Sequence, residues 1–326
     1  MKAFLFLFAV WLPARAAAAS ETWSDPYPGI RHLASTLAGP VEAHVAVVDL
    51  RTPGISVRAS RRDERWQTVG EFATRAGCSV AMNGGFWTLL GQGPAGVTAG
   101  GGRLWPGVTD DDQYGFFALT RRGRPWFSRP AEILEPLPRP RLAEAVSGRP
   151  MLLERGREAP ELADYPFRQQ RHPRTAVGLS RDGGTLYLVA VDGRQAHSKG
   201  MSVVRLARLA REIGAWTAIN LDGGGSTALW VGAEGGLVNV PCRGERVVLN
   251  HLCVTQAKGP TPKADPEPDA GVHAATAPVR LAPHRPAPPR LRPVLLREMW
   301  APLAFALAAT LAVLAVRRIA RGARPW

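Results

Sequence analysis

The chain has 326 residues and carries 41 Lys and Arg against 27 Asp and Glu, with 34 Gly and 29 Pro in a composition that is 45% hydrophobic. That suffices for one large or two ordinary domains, and the glycine and proline content fits a loop-rich globular protein with an unstructured portion. The formal charge of +14 raises nucleic acid as a partner, but the arginines are scattered, rarely interleaved with aromatics and frequent in the C-terminal tail. An anionic surface or anionic glycopolymer is the better match, and no nucleic acid is expected.

Met1-Lys2, the apolar run Ala3 to Leu12 and the small residues Ala17-Ala18-Ala19 read as a signal peptide, 1–19, cleaved before Ser20. Residues His44 to Leu50 and Ile55 to Ala59 alternate like two strands paired across the Pro53-Gly54 turn. Val69 to Arg75 reads as a short helix, and Cys78 to Met82 as an apolar strand entering Asn83-Gly84-Gly85-Phe86-Trp87. A glycine-dense loop, 91–102, precedes a strand over Tyr114 to Thr120. Two short segments, 145–148 and 151–154, frame a turn at Arg149-Pro150.

A polar, basic loop over 165–172 hands over to the strand that opens Arg174-Thr175-Ala176-Val177-Gly178. The strand Leu186 to Val191 ends in Asp192-Gly193-Arg194. Ser202 to Gly214 is the clearest helix. Val203, Leu206, Leu209, Ala210 and Ile213 recur at helical spacing, with Ser202 as N-cap and Gly214 as stop. A further apolar strand then delivers Asp222 into Gly223-Gly224-Gly225-Ser226-Thr227. Three consecutive glycines are costly to order, and such a turn suits close approach of an anion to bare amides, with Ser226 or Thr227 capping a following helix. The alternative is a tight turn between buried strands.

The C-terminal part has a different character. Residues 258–298 are rich in Pro, Ala and charge, a semi-stiff spacer. Residues 299–317 form an apolar run which, at ~1.5 Å per residue, spans roughly 27 Å. The basic tail 318–326 follows it, so the segment reads as a transmembrane helix with the main domain, 20–257, outside the cytoplasmic membrane. Three cysteines are present. Cys242 and Cys253 flank the turn signal Arg243-Gly244-Glu245-Arg246 and are expected to be bridged across a hairpin, leaving Cys78 free and buried.

Many short strands, one strong amphipathic helix and few alternating βα units give an α+β expectation: mixed multi-strand sheets with few helices in a single catalytic-type domain, plus the signal peptide and the C-terminal transmembrane helix. No dinucleotide fingerprint or phosphate-binding G-x-x-x-x-G-K-[ST] loop is present. No cysteine or histidine spacing calls for a metal, and no cofactor is expected.

The motifs NGGFW (83–87), RTAVG (174–178), VDGR (191–194), NLDGGGST (220–227) and VLNHL (248–252) occur in order over about residues 40 to 256. Together they resemble the phosphodiester glycosidase domain family. The resemblance implies a hydrolase that cleaves a sugar, by similarity N-acetylglucosamine, from a glycosyl-1-phosphodiester; with the expected leader, the reading is an exported enzyme acting on an envelope or exopolysaccharide polymer. It also implies that the strand ends carrying these motifs gather at one rim.

On that reading Asp222 and Asp192 are the candidate carboxylates for the anomeric side. Arg174 is the candidate phosphate grip, because a guanidinium can bond two phosphate oxygens at once. Either aspartate can instead be a turn residue, and Arg174 can instead pin a strand start. Asn83, Gly84, Gly85, Gly223, Gly224, Ser226 and Asn250 are candidate substrate contacts, with Arg194 as a second phosphate contact and His197 as a proton donor or an exposed loop histidine. The rival reading is a non-catalytic carbohydrate- or wall-binding module displayed on the membrane; a third is an envelope structural protein.

Overall fold

The computed structural model describes residues 19–88, 93–106, 113–128 and 142–257. Three antiparallel sheets make up the fold. The largest runs, strand by strand, Ser20–Tyr27, Ile30–Leu37, Val41–Asp49, Thr185–Val191, Arg174–Leu179, Thr217–Asn220, Met151–Glu154 and Arg157–Glu158. A second has the order Arg103–Leu104, Ala99–Gly100, Leu142–Gly148, Gly115–Thr120 and Pro125–Ser128. The third has the order Gly236–Leu237, Leu229–Val231, Val80–Asn83, His251–Gln256 and Ile55–Ala59. Every strand pair among the described residues is antiparallel, so the sheets are not mixed as expected.

One apolar cluster joins the inner faces of all three sheets: Val80 and Met82 from the third, Phe117 and Val146 from the second, Val177, Leu188 and Ile219 from the first. Each is withdrawn from solvent, and burial of such a side chain stabilises by about 1.5–3 kcal/mol. The near-continuous apolar run Leu186 to Val191 follows from this position. Its strand sits between Val41–Asp49 and Arg174–Leu179 near the middle of the largest sheet and is buried on both faces.

Both expected helices form. α1, Val69–Ala76, starts at Thr68, whose hydroxyl accepts from the Glu71 amide at 3.2 Å, while the Glu71 carboxylate accepts from the Thr68 amide at 3.0 Å. A four-residue α2, Glu161–Asp164, follows. α3, Val203–Glu212, starts at Ser202, whose hydroxyl accepts from the Arg205 amide at 3.2 Å, and buries Val203, Leu206, Ala207, Leu209 and Ala210.

The structure corrects three expectations. The strands flanking Pro53-Gly54 do not pair. Val41–Asp49 lies between two strands of the first sheet, whereas Ile55–Ala59 edges the third beside His251–Gln256, so the turn crosses between sheets. The cystine joins Cys78 to Cys253 with Cα atoms 5.6 Å apart, and Cys242 is the free thiol. Antiparallel pairing of Val80 with Val254 brings those two cysteines together from 175 positions apart in sequence. The segment after Leu237 is a long loop rather than a hairpin arm, which leaves Cys242 away from Cys253. Finally, no helix among the described residues is long and apolar enough to cross a membrane; the longest, α3, is amphipathic and spans 10 residues. A membrane helix is therefore not part of the fold as described, and anchoring through one is not supported. Segments 1–18 and 258–326, which include nearly all of the expected leader and the whole spacer, span and tail, lie outside the described residues.

Candidate active site

Antiparallel pairing brings the motif residues to one end of the first sheet. Arg174 opens its strand opposite Val191, which closes the neighbouring one, and the Leu221 amide donates to Thr175 O at 2.8 Å. Arg174, Asp192 and Asp222 thus leave the sheet at the same edge. The third sheet meets this edge through Asn83. Its Nδ2 donates to Asp222 O at 2.6 Å, and its Oδ1 accepts from Thr175 Oγ1 at 3.0 Å and from the Ala228 amide at 3.2 Å. All of that bonding goes to the protein, so Asn83 clamps the Asp222 turn against the first sheet.

The triple-glycine turn is tightly engaged by its neighbours. The Gly224 amide donates to Pro173 O at 2.9 Å, and the Ser226 and Thr227 amides donate to Gly223 O and Gly224 O. With three amides committed, the turn is not the open anion nest expected from its composition. It is followed by the strand Leu229–Val231, so neither Ser226 nor Thr227 caps an α-helix. Gly224 lies at φ +61°, and a Cβ there would stand 3.2 Å from Arg194 Nη1; both facts favour glycine. At Gly84 and Gly85 close approach is the cause. A Cβ would overlap Asn250 Oδ1 at the first and Ser147 O at the second. The Gly84 amide donates to Asn250 O at 2.8 Å and the Gly85 amide to Asn250 Oδ1 at 2.7 Å. Asn250 therefore fixes the Gly84-Gly85 turn.

Asp222 has a carboxylate whose hydrogen bonding the protein leaves incomplete. Its side chain is 14% exposed, and burial raises its pKa to about 6, opposed by Ser226, Arg246 and the Gly223 amide. Its Oδ2 atom is buried with no hydrogen-bond partner. Arg246 Nη2 lies 3.7 Å away, while Arg246 Nε donates to Ser226 Oγ at 3.0 Å. The same guanidinium sits over the Trp87 ring, 5.1 Å from its centroid. Half of the Arg246 side chain stays exposed, which leaves donors for a ligand.

The other charged candidates are differently placed. Asp192 is 2% exposed. Its Oδ1 accepts from Asn239 Nδ2 at 2.8 Å, both its oxygens accept from the Val240 amide, and His197 Nε2 lies 3.5 Å from Oδ2. Asn239 in turn donates to Thr227 O at 3.3 Å and accepts from the Leu229 amide at 2.7 Å. Asp192 thereby ties the 239–240 loop to the sheet edge. His197 is the exposed neighbour on that tie.

Arg174 is buried. Its Nε donates to Met201 O at 3.0 Å and its Nη2 to Gln170 O at 2.8 Å, and burial lowers its pKa to about 10, with Arg194 contributing in the same direction. Arg194, in the left-handed region at φ +58°, donates from Nη2 to His172 Nδ1 at 3.2 Å. The guanidinium facing Asp222 is thus Arg246, which in the sequence reads only as part of a turn. Its position four residues before Asn250, in the approach to VLNHL, was the available signal.

The family model for phosphodiester glycosidases matches residues 76–255. N-acetylglucosamine-1-phosphodiester α-N-acetylglucosaminidase of Mus musculus is 31% identical over 178 residues, 50% of this chain and 34% of that protein. Its Bos taurus counterpart is 32% identical over 180 residues, 50% of this chain and 33% of that protein. The chain thus spans about a third of the length of these curated relatives. The solved zebrafish catalytic domain of the same name aligns with a TM-score of 0.53 at 23% identity, covering 73% of this chain and 81% of that one, a likeness of fold.

Proposed function

The chain belongs to the phosphodiester glycosidase family, and from that premise we propose that it hydrolyses a glycosyl-1-phosphodiester, by similarity one carrying N-acetylglucosamine. Water adds across the bond between the anomeric carbon and the phosphate oxygen. The hydroxyl goes to the sugar, and the proton is balanced by the departing phosphate monoester or by solvent. A phosphate monoester has a second pKa near ~6 and leaves without a strong general acid. The chemistry therefore needs one carboxylate on the anomeric side and one cation on the leaving group, less than the two carboxylates of an ordinary glycosidase.

The observation that carries this reading is the Asp222–Arg246 pair. Asp222 Oδ2 is, among the described residues, the buried carboxylate oxygen that no hydrogen bond satisfies. Ionised, it stabilises the positive charge that develops at the anomeric carbon, while the Arg246 fork neutralises the phosphate. Trp87, under Arg246, offers a flat face for the sugar. Asn83, Asn250 and Asp192 are positioning residues that hold the turns on either side. The Cys78–Cys253 cystine supports export to an oxidising compartment.

The test is incubation of the full chain with α-N-acetylglucosamine-1-phosphomethyl diester, reading free N-acetylglucosamine. Release by the wild type and its loss in Asp222→Asn is the expected result. Binding of the diester by both proteins, with release by neither, overturns the hydrolase reading in favour of a carbohydrate-binding module.

A further inference from the structure

Apart from the Asp222 turn, the described residues enclose a cleft of about 840 Å³, a size in the ~300–1,000 Å³ range of ligand sites. Its walls include Arg61, Arg62, Arg65 and Arg103, a single acid, Asp63, and Trp105. Arg61 is paired with Glu64 at 3.3 Å. Arg62, Arg65 and Arg103 are exposed and make no ion pair with a described residue. Among the described residues the cleft thus carries four arginines to one carboxylate, with Arg65 Nη1 donating to Arg62 O at 2.9 Å, and such an excess of positive charge on a concave surface favours a multivalent anion.

A second feature follows the cleft residues directly in sequence. Trp66, next to Arg65, is 38% exposed and sits at φ +59°. A bulky side chain in the left-handed region is an outlier that costs on the order of 1–3 kcal/mol. In that conformation the indole keeps part of its surface in solvent and packs the rest against a neighbour. Its ring meets Trp87 edge-on, centroids 5.9 Å apart, and Trp87 carries Arg246, whose Nη2 faces Asp222. Charged and aromatic groups therefore follow one another from the arginine cleft through Trp66 and Trp87 to Asp222. Alternating cations and flat apolar faces match a chain in which phosphates alternate with sugar rings.

We propose that the arginine cleft and Trp66 form an extended subsite for a phosphodiester-linked glycan, holding the repeats next to the one whose bond lies at Asp222. This rests on the glycosidase reading for its direction, but binding at the cleft is a separate property. The substrate class it assigns is a polymer with several phosphates, beyond a single sugar-1-phosphodiester.

The test is titration of the full chain, by intrinsic fluorescence and calorimetry, with a synthetic sugar–phosphodiester oligomer, the corresponding monomeric diester and a single-stranded DNA oligomer of equal phosphate number. The proteins are wild type, the R62E/R103E double variant and Trp66→Ala, with thermal midpoints as the control for folding. The wild type is expected to bind the oligomer at least tenfold more tightly than the monomer and than the DNA, with affinity falling as salt rises. R62E/R103E should lose most of that advantage and flatten the salt dependence, and Trp66→Ala should lose part of it. Equal affinity for oligomer and monomer overturns the proposal, as does oligomer affinity that both variants preserve or DNA binding as tight as glycan binding. An oligomer that binds through these residues and is never hydrolysed leaves the subsite standing and refutes the glycosidase reading alone.

Discussion

Arg246 Nη2 stands 3.7 Å from Asp222 Oδ2, and no hydrogen bond closes the gap. The two charges sense each other, yet each keeps capacity for a third group. Ser226 holds the guanidinium from one side through its hydroxyl, and Asn83 holds the Asp222 backbone from the other. A closed salt bridge here would have spent both groups on stability; the open one keeps an acid and a cation side by side in a partly desolvated place.

Asp222→Asn is expected to reduce hydrolysis by at least ~100-fold while leaving substrate binding within a few-fold. It should also alter the pH dependence of stability. The folded pKa of about 6 lies above the ordinary 3.8, so the folded state binds more protons than the unfolded one between those values. The resulting stabilisation is complete below pH ~4 and lost as pH rises through 6. At ~1.4 kcal/mol per unit, the ionised group costs on the order of 2–3 kcal/mol. Thermal midpoints should show the variant gaining on the wild type between pH 4 and pH 7.5. A difference that stays constant with pH rules out the buried, raised carboxyl.

Arg246→Lys keeps the charge and loses the fork, so kcat/KM should fall more than tenfold, upwards of ~1.4 kcal/mol, with the denaturation midpoint little changed. Arg174→Met is expected to behave in the opposite way. It strips donors from Met201 O and Gln170 O and should cost about 2–4 kcal/mol of stability. Paired denaturation and steady-state measurements separate the two. If Arg174→Met is stable and inactive while Arg246→Lys is fully active, the phosphate grip belongs to Arg174 after all.

The sequence exposed local features well and sheet membership poorly. Ser202 announced its helix because capping acts within three residues, and Thr68 with Glu71 carries the same kind of local signal for α1. The apolar run ending at Val191 announced a strand on similarly local grounds. Pro53-Gly54 did mark a turn, but nothing local says whether the strands beside a turn pair or part; that depends on His251–Gln256, almost 200 positions away. The cysteine pairing failed on the same ground, since the Val80–Val254 register decides it. At the site, Asp222 and the glycine pairs were legible from their motifs. What each neighbour does with its hydrogen bonds was not, so Arg174 and Asp192 stood out in sequence although the protein itself occupies them. Arg246 was hidden inside a stretch whose glycine and charges read equally well as an exposed turn.

Reduction of Cys78–Cys253 opens a loop defined by a separation of 175 residues. Chain-entropy reasoning puts its loss at about 5 kcal/mol. Cys78→Ala/Cys253→Ala should therefore lower the denaturation midpoint strongly, whereas Cys242→Ser, at the free thiol, should leave it almost unmoved. Equal sensitivity of the two would contradict the pairing seen here.

His251 opposes Asp222 in nearly the same pH window. Its ring stacks on Phe72 with centroids 4.3 Å apart, and Nε2–H donates to Gln67 O at 3.1 Å. The proton therefore sits on Nε2, and Nδ1 is buried without a partner. Burial lowers its pKa from 6.5 to about 4, and burial likewise lowers that of His44 to about 4. Between those values the unfolded chain binds more protons than the folded one. The stability due to a neutral histidine is thus complete above pH 6.5 and lost as pH falls toward 4. His172, lowered by burial and by Arg174 and Arg194, acts in the same sense, while Asp222 and Glu144, both raised by burial, act in the other. With three histidines against two carboxyls, the wild type should weaken on acidification from pH 7 to pH 4.5. His251→Gln retains a donor for Gln67 O and cannot titrate in this range. It should start less stable, having lost the ring stack, and then weaken less steeply with acid. Denaturant midpoints of both proteins at pH 7 and pH 4.5 measure the slopes, and parallel slopes would remove His251 from the acid response.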